Sequence, residues 1–303
     1  MIHPSRPAAA LLAITAPPLL YVLFSLPSIL TSYRTYLAIG PGGLPHNFFG
    51  FLLQACLRVV ARSDVRAVPP PYYHFDTSKS KSNDPGDDEG DASDPDPAVV
   101  RRYAPLGRTS FLPASKPSSS TTAATTESRP GSGTGPGGLL PYRSSARPTV
   151  PGFVAPQRQT SMQAPPEMIA RMEGFLQHLV GGENEGVLEL RPSGLEGAWH
   201  QAVFLRGADD NMPGYMGRAK GEIVHVHAEG SSHVTVSLVD GEEAVRKGWA
   251  ERHPLSGVGN MLPWSYVMLY APRDDEEYEV WTRLVVAGCR FVSGGRDIKM
   301  AES

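Results

Sequence analysis

The sequence predicts an α+β domain, a mostly antiparallel sheet with helices covering one face, preceded by an N-terminal transmembrane helix and a disordered linker. Three observations predict it. Periodic segments in the C-terminal half run helix, four strands, helix, strand, helix, an order typical of segregated α and β layers. The prolines, 29 in all, concentrate before residue 165, where periodic apolar pattern is poor. A run from Ala8 to Leu30 carries no charge and exceeds the roughly 20 residues needed to cross a hydrocarbon core.

Residues 1–33 read as the membrane anchor. Pro17, Pro18 and Pro27 are tolerated in a membrane helix, and Tyr21, Tyr33 and Tyr36 suit its interfaces. A cleaved signal peptide is the competing reading, but its apolar core runs only about 7–15 residues and needs a small-residue cleavage site. Arg6 and Arg34 balance, so orientation stays open. Residues 34–70 read as a juxtamembrane amphipathic segment. Phe48 to Leu57 is apolar, too short to span, and ends in Arg58 and Arg62. It is either an interfacial helix or a helix packed on the folded domain. Residues 71–150 read as a disordered linker. It opens with an acidic run (Asp84, Asp87, Asp88, Glu89, Asp91) and continues in a Ser/Thr/Pro/Gly tract, which buries too little apolar surface to offset chain ordering. Inside it, Val99 to Pro113 is a candidate for docking on the folded domain.

Residues 151–296 read as that domain. Met168, Ile169, Met172, Phe175, Leu176, Leu179 and Val180 recur at helical spacing, with Pro166 in the first turn and Gly181 at the stop. Residues 187–191 and 199–206 read as strands. GEIVHVH and HVTVSL read as a third and fourth, joined through a short loop. A short helix follows, with Asp240 as its cap and Glu243 three residues on. Residues 265–271 read as the fifth strand. The last helix starts at Asp274, with Tyr278, Trp281, Leu284, Val285, Gly288, Phe291 and Val292 on its apolar face.

The bulk numbers exclude some functions. The formal net charge is −3, and no basic stripe marks a nucleic-acid partner. Cys56 and Cys289 have no metal or redox spacing and imply no disulfide framework.

Four of the nine histidines fall between residues 225 and 253. Side chains alternate along strands, so Ile223, His225 and His227 point one way and Glu222, Val224 and Val226 the other. A loop that sets His227 opposite His233 also sets His225 opposite Thr235, and places three imidazoles and a hydroxyl on one face. His253 can swing over it. Three readings compete: a solvated polar face, a small-molecule pocket using imidazoles as acid, base or donor, and a divalent metal site built from His225, His227 and His233, with Glu251 in reach. HVTVS also matches one His-hydrophobic-Ser/Thr unit of two-histidine phosphoesterases, which need a second copy that is not found here.

The blocks EIVHVH, KGWAERHPLSG and YAPRDDEE, in that order, resemble the fungal luciferase-like family. YRTYLAIGPGGLPHNFFGFLL is similar to the juxtamembrane segment of the fungal enzymes. The resemblance covers about residues 30–60 and 155–295. It implies a membrane-associated oxygenase that adds O₂ to a hydroxylated pyrone and releases CO₂, with O₂ as co-substrate and no organic cofactor. His225, His227, Trp249, His253, Pro254 and Arg273 match the shared blocks. Luminous members carry a histidine where this chain has Thr235, and His233 instead resembles non-luminous relatives, so the expectation is a member that does not emit light. The catalytic candidates are His225, His227, His253 and Arg273, with Arg273 holding an oxyanion. The substrate-binding candidates are His233, Thr235, Trp249, Glu251 and Tyr270. Expected partners are a small-molecule substrate and membrane lipid through the N-terminal helix. The competing functions are a non-catalytic binding module at a membrane and a metal-dependent hydrolase.

Overall fold

The structure is a computed structural model, and it describes residues 25–73, 95–114, 140–207 and 212–300. Its helices are α1 (25–38), α2 (Phe48–Leu57), α3 (Pro97–Arg102), α4 (Pro166–Leu179), α5 (Leu238–Arg246) and α6 (Asp275–Val292). Its strands are β1 (Leu188–Ser193), β2 (Gly197–Leu205), β3 (Glu222–Val226), β4 (Ser232–Thr235), β5 (Ala250–Arg252) and β6 (Tyr266–Leu269). All pairings are antiparallel, in the order β1-β2-β3-β4-β6-β5. The α+β expectation holds, with β5 added after α5. Most of the apolar run 8–30 lies outside the described residues. Among the described residues no helix is long and apolar enough to cross a membrane.

The main core lies between the sheet and helices α4 and α6. Val224, Val226 and Val234 meet Leu284, Val285 and Met172 in one buried cluster. Gly288 lets α6 approach β4 closely, because a Cβ there would sit 2.7 Å from the Thr235 carbonyl and 2.8 Å from Val234. Helix α5 is capped by Ser237, which accepts the Asp240 N–H at 3.1 Å. The expected cap, Asp240, has another role: its carboxylate accepts the Ser110 hydroxyl at 2.7 Å and the Phe111 N–H at 2.9 Å.

The opposite sheet face is covered as well. Every residue of β3, β4, β5 and β6 is buried. The cover is made of irregular segments: Arg252 N–H donates to Val65 O at 2.9 Å, and Arg62 N–H to Pro254 O at 2.8 Å. Gln157 and Arg158 lie fully buried over the same face. Irregular chain carries no hydrophobic period, so patterning could not announce this second cover.

Parts of the stretch read as linker are packed into the domain. Tyr72, Tyr103, Leu112 and Leu140 belong to the main core cluster. Tyr103 stacks on Tyr215, which stacks on Phe291, each pair with centroids 4.9 Å apart. Arg143 reaches Glu277 at 3.1 Å, and Trp249 donates to Pro141 O at 2.7 Å. These anchors are single aromatic or aliphatic residues in polar surroundings, so a composition window does not see them. Residues 74–94 and 115–139 of that stretch lie outside the described residues.

Candidate active site: a closed cluster of imidazoles

The β3–β4 hairpin pairs Val224 with Val234, His225 with His233 and Val226 with Ser232. His227 meets Ser231 across the turn, N–H to carbonyl at 2.8 Å. The expected pairing of His227 with His233 is therefore off by two positions. A two-residue slip preserves faces because the side-chain period is two, and the three imidazoles still share one. Gly230 closes the turn at φ +91°, hard against the Ala164 methyl where no side chain fits.

A bulge alters the alternation. Across β2–β3 the register shifts between Val203 and Phe204, which pair with Val224 and Glu222 and leave Ile223 as the extra residue. Glu222 is thereby turned onto the face of His225, where its Oε1 lies 2.6 Å from His225 Nδ1. Strict alternation put Glu222 on the other face; the bulge is the reason it is not there.

His225 Nε2 lies 3.1 Å from His227 Nε2 and 3.2 Å from His233 Nδ1, and His227 Nε2 lies 3.1 Å from His233 Nδ1. A fourth group joins them. Glu196 Oε1, from the β1–β2 turn, stands 3.6, 3.7 and 4.0 Å from those three nitrogens. The donor atoms of all four residues lie within 4.8 Å of one another. His225, His227 and His233 are 1%, 1% and 2% exposed, which removes the solvated-face reading.

The outward nitrogens define the tautomers. His225 Nδ1 faces the Glu222 carboxylate, which can only accept. His227 Nδ1 lies 2.8 Å from Ser231 Oγ, whose own hydrogen goes to Glu229. His233 Nε2 lies 3.0 Å from Gln157 Oε1. That amide is oriented by its NH₂ group, which donates to Glu251 Oε1 at 2.9 Å and Arg252 O at 3.3 Å. Each imidazole thus places its N–H outward, and three lone pairs converge on Glu196 Oε1. The other Glu196 oxygen accepts Arg158 Nη2 at 2.6 Å.

Burial would raise the Glu196 carboxyl, but Arg158 and the neighbouring imidazoles hold it well below the usual carboxylate range. Burial pushes His227 and His233 well down, and the nearby positive groups add to it. Burial opposes charge on His225 too, yet hydrogen bonds to Glu196 and Glu222 carry it up to about 9. One proton on His225 answers one of the three converging contacts and leaves the others facing.

The remaining candidates divide. His253 packs on His233, ring centroids 5.3 Å apart, and burial takes it down to about 4. Its Nδ1 accepts the Leu255 N–H at 3.0 Å, so it supports His233 without aiming a lone pair at the centre. Tyr266 stacks on His233 at 5.0 Å. Thr235 is on the imidazole face, and its buried hydroxyl has no hydrogen-bond partner among the described residues. Glu251 and Tyr270 connect through Gln157: Tyr270 donates to Glu251 Oε2 at 3.1 Å. Arg273 is engaged elsewhere, with Glu277 at 2.5 Å and Ser145 at 2.8 Å. Trp249 is held by Pro141. Neither reaches the imidazoles.

Sequence reasoning missed Glu196, Glu222, Gln157 and Arg158. The polar triplet Gln157-Arg158-Gln159 in an otherwise apolar entry to the domain was the available signal. The N-terminal segment also belongs to the site. Pro41 O accepts Arg158 Nη2 at 3.3 Å, and a Cβ on Gly42 would lie 2.6 Å from Pro156 and 2.8 Å from Glu196 Oε2. A cleft of ≈ 470 Å³ opens on the far side of Gln157, lined also by Glu251, Phe153, Arg58, Arg62 and Arg66.

A family model described as the luciferase domain matches residues 220–288, the stretch holding His225, His227, His233 and His253. The chain carries a luciferase-like domain. It is 29% identical over 167 residues to a luciferase of Armillaria gallica, covering 51% of this chain and 61% of the relative. It is 29% identical to a luciferase of Neonothopanus nambi (54% and 65%) and 32% identical to one of Armillaria ostoyae (51% and 61%). The chain thus spans about three fifths of the length of these curated relatives. No solved structure matches it.

Proposed function

We propose that the luciferase-like domain is an O₂-dependent, oxygenase-type enzyme acting on a small hydroxylated ring, a pyrone or a phenol, without light emission. One observation carries this reading. The region shared with relatives named luciferases holds three imidazoles that converge, lone pairs inward, in a closed centre beside a cleft of ≈ 470 Å³. A cleft of that size accepts a one- or two-ring substrate. Arg58 along it favours an enolate or phenolate, while Arg62 and Arg66 are paired with Asp64 and Glu251. Gln157 and Glu251 separate it from the imidazoles, so a substrate hydroxyl has polar partners where cleft and centre meet. Burial excludes bulk water from the centre, which protects a reactive oxygenated intermediate from hydrolysis.

The test is oxygen uptake by the purified chain with a panel of hydroxylated pyrones and phenols, run beside a luminometer. Substrate-dependent uptake without light is the expected result. Substrate binding with no uptake favours the binding-module reading. The carboxylate among the imidazoles gives a metal-dependent hydrolase its own support; turnover that proceeds equally without O₂ selects it.

The proposal extends to a lipid surface as the place of action. Ile29, Leu30, Phe48, Phe49, Leu52 and Val60 are exposed on α1, α2 and the turn after them, with Arg34 and Arg58 beside them. An apolar face next to basic side chains suits an interfacial position on anionic lipid. Co-flotation with anionic vesicles, lost in Phe48→Asp/Phe49→Asp, is the expected outcome.

A further inference from the structure

We propose that Glu196, His225, His227 and His233 form a mononuclear centre for a divalent first-row transition-metal ion. Geometry and hydrogen-bond direction define this centre, independently of the reaction.

The three inward nitrogens make a nearly equilateral triangle with edges of 3.1, 3.1 and 3.2 Å. An ion bonded to imidazole nitrogens at about 2.0–2.1 Å would sit about 1 Å out of their plane. An oxygen one further bond length along the axis would then stand about 3.6 Å from each nitrogen. Glu196 Oε1 stands 3.6, 3.7 and 4.0 Å away. One position is therefore within bonding distance of all four donors, to within a few tenths of an ångström.

The hydrogen bonds say what that position lacks. Three acceptor nitrogens and an acceptor oxygen face one another, while their outward partners (the Glu222 carboxylate, Ser231 Oγ and Gln157 Oε1) hold the ring N–H groups away. Lone pairs at about 3 Å repel unless a donor or a cation lies between them. A single proton serves one contact; a cation serves all four. The outward set has the character of a metal site's outer layer, in which a carboxylate or carbonyl fixes each ligand imidazole. Charge agrees: Arg158 pairs with Glu196 at 2.6 Å and lies 3.5 Å from Glu229, while Glu222 adds a further carboxylate at His225. Three imidazoles with one carboxylate select a transition ion over Mg²⁺ or Ca²⁺, which take oxygen. Because the strands supply the imidazoles and a hairpin turn the carboxylate, the donors are largely in place before the ion arrives.

The experiment uses the full chain without a polyhistidine tag. Cobalt(II) serves as a visible-absorption probe, and iron(II), manganese(II) and zinc are tested by elemental analysis after gel filtration. The expected result is about one ion per chain, a cobalt spectrum displaced by zinc, and loss of both in His227→Ala and Glu196→Ala. Glu222→Gln should weaken binding about 10–100-fold, and His178→Ala, which removes an exposed imidazole on α4, should bind as wild type. Failure of folded wild-type protein to take up any of the four ions overturns the proposal, whatever the variants do, as does unchanged uptake in folded His227→Ala. Should the alanine variants not fold, the wild-type stoichiometry and the Glu222→Gln shift decide. Uptake of an ion without oxygen consumption keeps this centre and sinks the oxygenase reading. Oxygen consumption by an ion-free chain does the reverse.

Discussion

Two buried charged clusters sit in this domain, and they differ in how they close. In the first, Glu277 accepts from Arg143 at 3.1 and 3.3 Å and from Arg273 at 2.5 Å, while Arg143 also donates to Ala146 O. Its carboxylate points at donors and its guanidinium groups point at acceptors. In the second, three imidazole nitrogens and Glu196 Oε1 point at one another, and a single proton on His225 leaves the other contacts without a donor. The first joins the segment at 140–150 to the start of α6 and needs nothing further. The second leaves lone pairs facing one another, which the proposed ion would receive. Burial and charge are common to both; hydrogen-bond direction is what separates them. Arg273, in the block YAPRDDEE, belongs to the cluster that is already complete.

The largest expected difference is in activity. His227→Ala should lower turnover by about 10²–10⁴-fold, with the circular dichroism and ion-free melting temperature near wild type. If melting falls with activity, the second cluster is structural like the first. Glu277→Ala should do the opposite. It leaves Arg143, 8% exposed, without its counter-charge, and breaking such a pair costs about 3–5 kcal/mol. Denaturant melts should register that loss, while turnover per folded molecule stays at the wild-type value.

Gly42→Val tests whether the N-terminal segment belongs to the open cluster. The added carbons would press on Pro156 and the Glu196–Arg158 pair. Overpacking of this kind costs about 1–3 kcal/mol, and turnover should fall as Glu196 moves; a change in stability alone would place the N-terminal segment outside the site. Gln157→Leu removes the acceptor that orients His233, and should reduce activity or ion affinity about 10–100-fold with a smaller effect on melting.

The smallest effect concerns pH. Burial would raise the Glu277 carboxyl, but Arg273 and Arg143 hold it below its ordinary 4.5. A depressed carboxyl adds stability that is fully present above its unfolded value and fades as pH falls through its folded one. The advantage of wild type over Glu277→Gln should therefore be constant near neutrality and shrink below about pH 4.5. An advantage that persists at lower pH would show that the pair acts through packing.

What the sequence by itself determined was whatever depends on local period. The α+β order, the apolar faces of α4 and α6, and the single face of His225, His227 and His233 follow from repeats of 3.6 and 2 residues, which survive even the two-residue slip in hairpin register. What only the tertiary structure decided depends on departures from period or on distance in the chain. A bulge at Ile223 turned Glu222 toward His225. Gln157 reached His233 from an irregular segment, and Glu196 came from a hairpin turn two strands away. Arg273 and Trp249 were taken up by the segment at 140–150, whose anchors are too sparse to show a pattern. A lone pair has no signature in a sequence, because its direction is set by the partner on the other side of the ring, and that partner is chosen by the fold.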